Sequence, residues 1–193
     1  MVNKLDENYV TQIYFLKVVI MNNTLSKSQQ EMLAQFQAHV DAELRQDVEA
    51  TLATMSANPH LYNVPTMEGA VGSAAVCEFY SRLLPGKFFA SDTEMLPVSR
   101  TIGHDQIVDE IIFKFTHNSE VGWMLPNIAP TGKRVEIPLV VIFKVTNGKV
   151  EHEHIYWDQA SVLVQIGLLD PKNLPIHGVE TARNLEKLIG TQR

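Results

Sequence analysis

The stretch "RVEIPLVVIFKVTNGKVEHEHIYWD", residues 134–158, decides how this chain is read. Its first half alternates, with Val135, Ile137, Leu139, Val141, Phe143 and Val145 on one side. Asn147-Gly148 then supplies two residues that tolerate the positive φ of a tight hairpin turn. The returning strand, Lys149 to Asp158, carries His152, His154, Tyr156 and Asp158 at every second position. A two-residue turn sets Thr146 opposite Lys149, so Phe143 faces His152, Val141 faces His154 and Leu139 faces Tyr156. Opposed residues share a face of the sheet. The spacing therefore predicts that the polar row shares the apolar face. Burying an unpaired polar group there costs about 1–3 kcal/mol, which a wet, apolar-walled cleft would remove. One extra residue in either strand would invert the assignment.

Period two extends upstream. "IVDEIIFKFTH" (Ile107 to His117) places Ile107, Asp109, Ile111, Phe113 and Phe115 together, and residues 88–103 are a further candidate strand. Earlier the period is helical. Leu33, Phe36, Val40, Leu44, Val48, Leu52 and Met55 recur every three or four residues, predicting one helix over about 28–55. Ser26 and Ser28 ahead of Gln29 and Glu31 offer capping boxes for its start. "SANPHLYNVPT" breaks that helix; a second, about 67–84, is predicted with Thr66 as its N-cap, ending at "LLPG". A last amphipathic helix covers about 179–189. Helices followed by a meander of strands predict an α+β fold with helices on one side of a curved antiparallel sheet.

The composition is that of an ordinary globular domain: 45% hydrophobic and 20% charged residues over 193 positions. A net charge of −6 favours neither nucleic acid nor an anionic membrane as partner. One cysteine, Cys77, precludes an intramolecular disulfide and reads as a small buried apolar residue. "IYFLKVVIM" (Ile13 to Met21) is shorter than a membrane span and is interrupted by Lys17. Residues 1–25 are expected to be an N-terminal extension, residues 26–193 one domain, and the location cytoplasmic.

Several pieces resemble the SnoaL-like polyketide cyclase branch of the nuclear-transport-factor-two-like superfamily. They are Trp123 ahead of Pro130-Thr131-Gly132 before a strand, the acidic Asp158 closing the last strand, and the short "LVQIGLL" helix, Leu163 to Leu169. The resemblance implies a cone: a strongly curved sheet wrapped around helices, with a pocket between them. It implies cyclase, dehydratase, isomerase or epoxide hydrolase chemistry, or ligand binding without catalysis. Cyclases of this kind use an acidic general base paired with a histidine, and Asp158 is the nearest match by position.

From these readings the candidate catalytic residues are Asp158, His154, Tyr156, Asp109 and His152. Asp158 is equally suited to cap the helix that follows it. An inward Asp109 in apolar surroundings would be a second candidate base. Trp123, Phe113, Val141, Phe143 and Tyr62 are expected to contact substrate; Trp123 serves equally as a plug for the core, and His60 and Tyr62 are placed at the pocket mouth. The expected function is cofactor-independent acid–base chemistry on a carbonyl-bearing or cyclic small molecule. A non-catalytic ligand-binding or dimerisation module is the alternative, and a metal-dependent hydrolase through His152 and His154 a third reading, with no ligand signature completed by other residues. A homodimer through the outer sheet face is also expected.

Overall fold

The structure, a computed structural model, describes residues 25–190. The extension assigned to residues 1–25 lies outside that range except for Leu25. The fold is α+β. In order the elements are α1 (Lys27–Leu44), α2 (Val48–Thr54), β1 (Met55–Asn63), β2 (Glu68–Val71), α3 (Ser73–Lys87), β3 (Glu94–Ile102), β4 (Gln106–Thr116), β5 (Arg134–Thr146), β6 (Lys149–Trp157), α4 (Gln159–Gln165) and α5 (Glu180–Gly190). The six strands form one sheet in the order β2-β1-β6-β5-β4-β3.

The first helix begins where the capping box predicts. The Ser26 hydroxyl accepts from Gln29 N–H and the Gln29 side chain accepts from Ser26 N–H. It is not one helix to residue 55. Gln46 takes φ 58°, a left-handed value that stops α1, and Asp47 caps α2 by accepting from Ala50 N–H. The segment read as a break, "SANPHLYNVPT", is mostly strand β1. It runs parallel to β6, so the sheet is not wholly antiparallel. Thr66 caps no helix; β2 intervenes, and α3 starts after Gly72. At Gly69 a Cβ would stand 2.2 Å from the Leu61 carbonyl oxygen, so only glycine lets β2 lie this close to β1. Cys77 is exposed on α3, not buried.

The decisive finding is the register of the β5–β6 hairpin. Thr146 pairs with Lys149 and Val145 with Val150, as a two-residue turn demands, but Lys144 then pairs with His152. Glu151 is the extra residue of a β-bulge, and beyond it every side chain of β6 changes face. Phe143 faces Glu153, Val141 faces Ile155 and Leu139 faces Trp157. These six look inward, while His152, His154 and Tyr156 share the outer face with Lys144, Ile142 and Val140. The predicted placement of the polar row on the concave side is therefore corrected.

The inner face, with Ile107, Phe113, Phe115, Val135, Ile137 and Phe143, packs on α1 and α3 through Met32, Leu33, Phe36, Phe79, Leu83 and Leu84. Phe36 and Phe143 meet edge to face at 4.9 Å. The β4–β5 connection tucks Val121, Trp123, Met124 and Leu125 into the same core. On the outer face α5 crosses one end of the sheet, held by Lys114–Glu186 at 2.9 Å and Arg183–Glu136 at 3.1 Å. No described helix is long and apolar enough to cross a membrane.

Candidate active site

A cavity of about 60 Å³ lies between α1 and the concave face of the sheet. Its walls are apolar, with Phe36, Phe88, Phe113, Trp123, Leu139 and Ile155, and half-buried Val40, Phe89, Met95 and Val141. Three acidic residues reach it: Glu43, Asp109 and Glu153. All three are buried, so each carboxyl must be paired, protonated or destabilising.

Asp109 is paired. Opposed to it on β3, Arg100 donates Nε to Oδ1 at 2.5 Å and Nη2 to Oδ2 at 2.6 Å. The guanidinium also lies over the Phe36 ring at 4.9 Å. Asp109 points inward as the alternation predicts, yet both its oxygens are engaged by a two-pronged charge-assisted pair.

Glu43 and Glu153 both face the His39 ring. His39 and Glu43 stand one turn apart on the inner stripe of α1, and Glu153 faces them from β6. His39 Nδ1 lies 2.6 Å from the Thr54 hydroxyl, which spends its own proton on the Thr51 carbonyl at 2.5 Å. Nδ1 therefore carries hydrogen and donates. Nε2 faces the Tyr80 oxygen at 3.3 Å, Glu43 Oε1 at 3.4 Å and Glu153 Oε2 at 3.8 Å. Tyr80 donates to Glu43 Oε1 at 2.8 Å, so its oxygen is left to accept from Nε2–H. Both ring nitrogens are thus donors and the ring is an imidazolium. Burial alone would lower its pKa; the charges of Glu43 and Glu153 overcome that and raise it from 6.5 to about 10.

The same contacts separate the acids. Burial raises the Glu153 pKa above 4.5, the Glu43 charge raises it further, and His39 offsets part of this. Glu153 Oε2 is buried without a hydrogen bond. Burial and the same two carboxylates push the Tyr80 phenol well above 10, so it stays a donor. The donor atoms of His39, Glu43 and Glu153 lie within 4.8 Å of one another, close enough for a metal. The imidazolium already supplies the positive charge there and has no free lone pair to offer a cation.

On the outer face a second cluster forms. His60 from β1 pairs with His152 and Tyr62 with His154, so the residues expected at the pocket mouth lie outside it. His60 Nε2 is 3.0 Å from His154 Nε2, and the His152 and His154 rings stack at 4.4 Å. Burial first, then the neighbouring positive groups His154, His60 and Lys144, lowers the His152 pKa to about 4; burial and His60 lower that of His154.

The predicted site residues thus divide. Asp109, Trp123, Phe113 and Val141 line the cavity, Phe143 lies in the core behind it, and His152, His154, Tyr156 and Tyr62 occupy the other face. Asp158 is exposed and caps α4, accepting from Ala160 N–H at 2.9 Å and Ser161 N–H at 3.2 Å. Trp123 is lining and plug at once: its indole N–H donates to the Phe88 carbonyl at 2.7 Å. The sequence reading did not single out His39, Glu43, Tyr80, Arg100 or Glu153. The signal for two of them was present, because His39 and Glu43 interrupt the apolar stripe of α1 at i, i+4 spacing.

The family model of the SnoaL-like polyketide cyclases matches residues 32–166. No curated protein matches the chain. Among solved structures, a candidate polyketide cyclase from Xanthomonas campestris pv. campestris superposes with TM-score 0.57 at 19% identity, covering 73% of this chain and 100% of that one. A candidate SnoaL-like polyketide cyclase from Jannaschia sp. CCS1 gives TM-score 0.60 at 16% identity, covering 76% and 98%. SalBIII, an epoxide hydrolase/cyclase-like enzyme with a role in pyran ring formation in polyether salinomycin, gives 0.51 at 16% identity, covering 68% and 94%. At these identities the likeness is one of fold. The family match spans the whole sheet, from the start of α1's buried stripe to the end of α4, and the chain belongs to the SnoaL-like polyketide cyclase family.

Proposed function

We propose that this protein is a cofactor-independent acid–base enzyme acting on a small carbonyl-bearing or cyclic molecule, with Glu153 as the proton-transferring group. The observation that carries this reading is the Glu153 Oε2, buried without a hydrogen bond on a carboxyl lining the cavity. A buried carboxylate with a raised pKa is a stronger base than one in water and holds a proton nearer neutrality.

The neighbours have complementary parts. His39 supplies a fixed positive charge that stabilises Glu153 once it has ionised. Tyr80 and Glu43 hold the imidazolium in place. A substrate whose C–H lies next to a carbonyl would present that hydrogen to Glu153 Oε2, and the apolar walls would exclude competing water. Asp109, with Arg100 on both oxygens, is a neutralised wall rather than a base.

The cavity bears on substrate size. About 60 Å³ holds a few waters, whereas sites for larger organic ligands usually enclose about 300–1,000 Å³. The natural ligand is then small, or its entry displaces half-buried Phe89 and Met95. The closed hydrogen bonding of His39 favours a second reading, ligand binding without turnover. Glu153→Gln separates the two. A screen of enolisable ketones and lactones should yield a substrate whose turnover falls by about 10²–10⁴ in Glu153→Gln, the usual loss on removing a general base. Undiminished turnover by this variant excludes Glu153 as the base; ligand binding with no turnover in either protein establishes the second reading.

A further inference from the structure

We propose that His60, His152 and His154 form a binding site for a divalent transition-metal cation of the zinc class on the outer face of the sheet. This site is separate from the cavity, which lies on the other side of the same strands, and it does not depend on the function proposed for the cavity.

The geometry is specific. The three imidazoles offer donor nitrogens that lie within 4.8 Å of one another. Around a tetrahedral zinc with Zn–N of about 2.0–2.1 Å, neighbouring nitrogens stand about 3.4 Å apart. His60 Nε2 and His154 Nε2 are 3.0 Å apart, closer than that spacing and needing only a small separation to admit an ion. His152 stacks on His154 with an interplanar angle of 11°, so their lone pairs do not yet converge. Metal binding therefore requires His152 to rotate about its side-chain bonds and turn a nitrogen toward the other two, which lie within 4.8 Å of it. All three rings are half-buried, so solvent reaches them and water can complete the shell.

Two irregularities of the backbone create the cluster. Met55 pairs with Val150 and His60 with His152, so four residues of β1 are looped out against one of β6. The β6 bulge at Glu151 then turns His152 and His154 to the outer face. Without either, the imidazoles would not meet. The three rings are poorly served by one another, because the single close nitrogen pair satisfies one donor and one acceptor. A bound cation would engage all three lone pairs. The facing charged groups are Lys144, opposed to His152, and Glu151, which lies 3.6 Å from the Lys144 ammonium and offsets it. Imidazole nitrogens with water in the remaining positions suit zinc, nickel, copper or cobalt rather than magnesium or calcium.

The test uses untagged full-length protein stripped of metal and dialysed against zinc chloride at pH 7.5, with zinc per chain measured by mass spectrometry. Cobalt(II) serves as a spectroscopic probe, and nitrogen-15 NMR reports which histidines shift. About one zinc per chain is expected, with the resonances of His60, His152 and His154 moving together. In His154→Ala and His60→Gln the affinity should fall by more than about 100-fold, beyond the roughly 10–100-fold that loss of a supporting contact costs. Circular dichroism checks that both variants are folded; if either is not, the wild-type NMR shifts decide. No stoichiometric zinc, or zinc that leaves these three resonances unmoved, overturns the site and leaves the cluster a ring-to-ring hydrogen-bond network. Equal zinc affinity in folded variants also overturns it.

Discussion

His39 Nε2 and Glu153 Oε2 face each other across 3.8 Å, a distance that allows an ion pair but no hydrogen bond. Two buried carboxyls and one imidazolium share this space, and the proton count of the trio decides its chemistry. Glu43 Oε1 accepts from the Tyr80 hydroxyl at 2.8 Å, whereas Glu153 Oε2 is buried without a hydrogen bond. The Glu153 pKa is raised by burial first, then by the Glu43 charge.

The trio makes stability depend on alkaline pH. The folded pKa of His39, about 10, exceeds its ordinary 6.5, so the protonated ring stabilises the fold. That contribution is complete below pH 6.5 and is lost as pH rises through 10. Glu153, also raised, acts in the same direction. Unfolding free energy should fall between pH 7 and 10 by at most about 1.4 kcal/mol per pH unit for each proton involved. Nitrogen-15 NMR should show His39 as an imidazolium through pH 8, and titration of that ring below pH 7 would refute the assignment.

Arg100 and Asp109 form the other buried pair. Asp109→Asn keeps the shape of the side chain and removes the carboxylate charge that faces the guanidinium. Removal of one partner of a buried pair typically costs about 3–5 kcal/mol. Arg100 keeps 12% of its side chain exposed, which places the expected loss at the lower end of that range. Urea denaturation measures it. A loss below about 0.5 kcal/mol, the scale of a surface pair, would show that the pair is solvated.

The layout of helices and strands was legible because periodicity is a local property. β4 and β5 fall where the alternation places them, and the Asn147-Gly148 turn adopts the expected positive φ at both residues, 53° and 70°. The face of β6 was misread because a hairpin register propagates from the turn, and one extra residue reverses everything beyond it. The sequence does hold a trace of the bulge. Val150 is apolar at an even number while Ile155 and Trp157 are apolar at odd ones, so the apolar parity itself switches between them. Strand β1 was missed for a different reason. One proline and two asparagines lower its strand propensity, and its pairing with β6 is a contact across 90 or so residues that no local pattern encodes. Glu153 was hidden by the same parity error that brought the histidines forward.

Asp158 separates a structural carboxylate from a chemical one. The sequence offered it as the nearest match to a family base, yet it is exposed and accepts two backbone N–H groups at the start of α4. Asp158→Ala should cost about 1 kcal/mol, the usual value of an N-cap, and lower the melting temperature by about 2–4 °C for a chain of this size. Asp158→Asn, which keeps the accepting oxygen, should recover most of that loss. Turnover per folded molecule should remain within about twofold of the parent in both, because neither change touches the cavity. The converse pattern, with melting temperature unchanged and turnover abolished in Asp158→Asn, would move the base from the concave face to the end of β6 and remove Glu153 from that role.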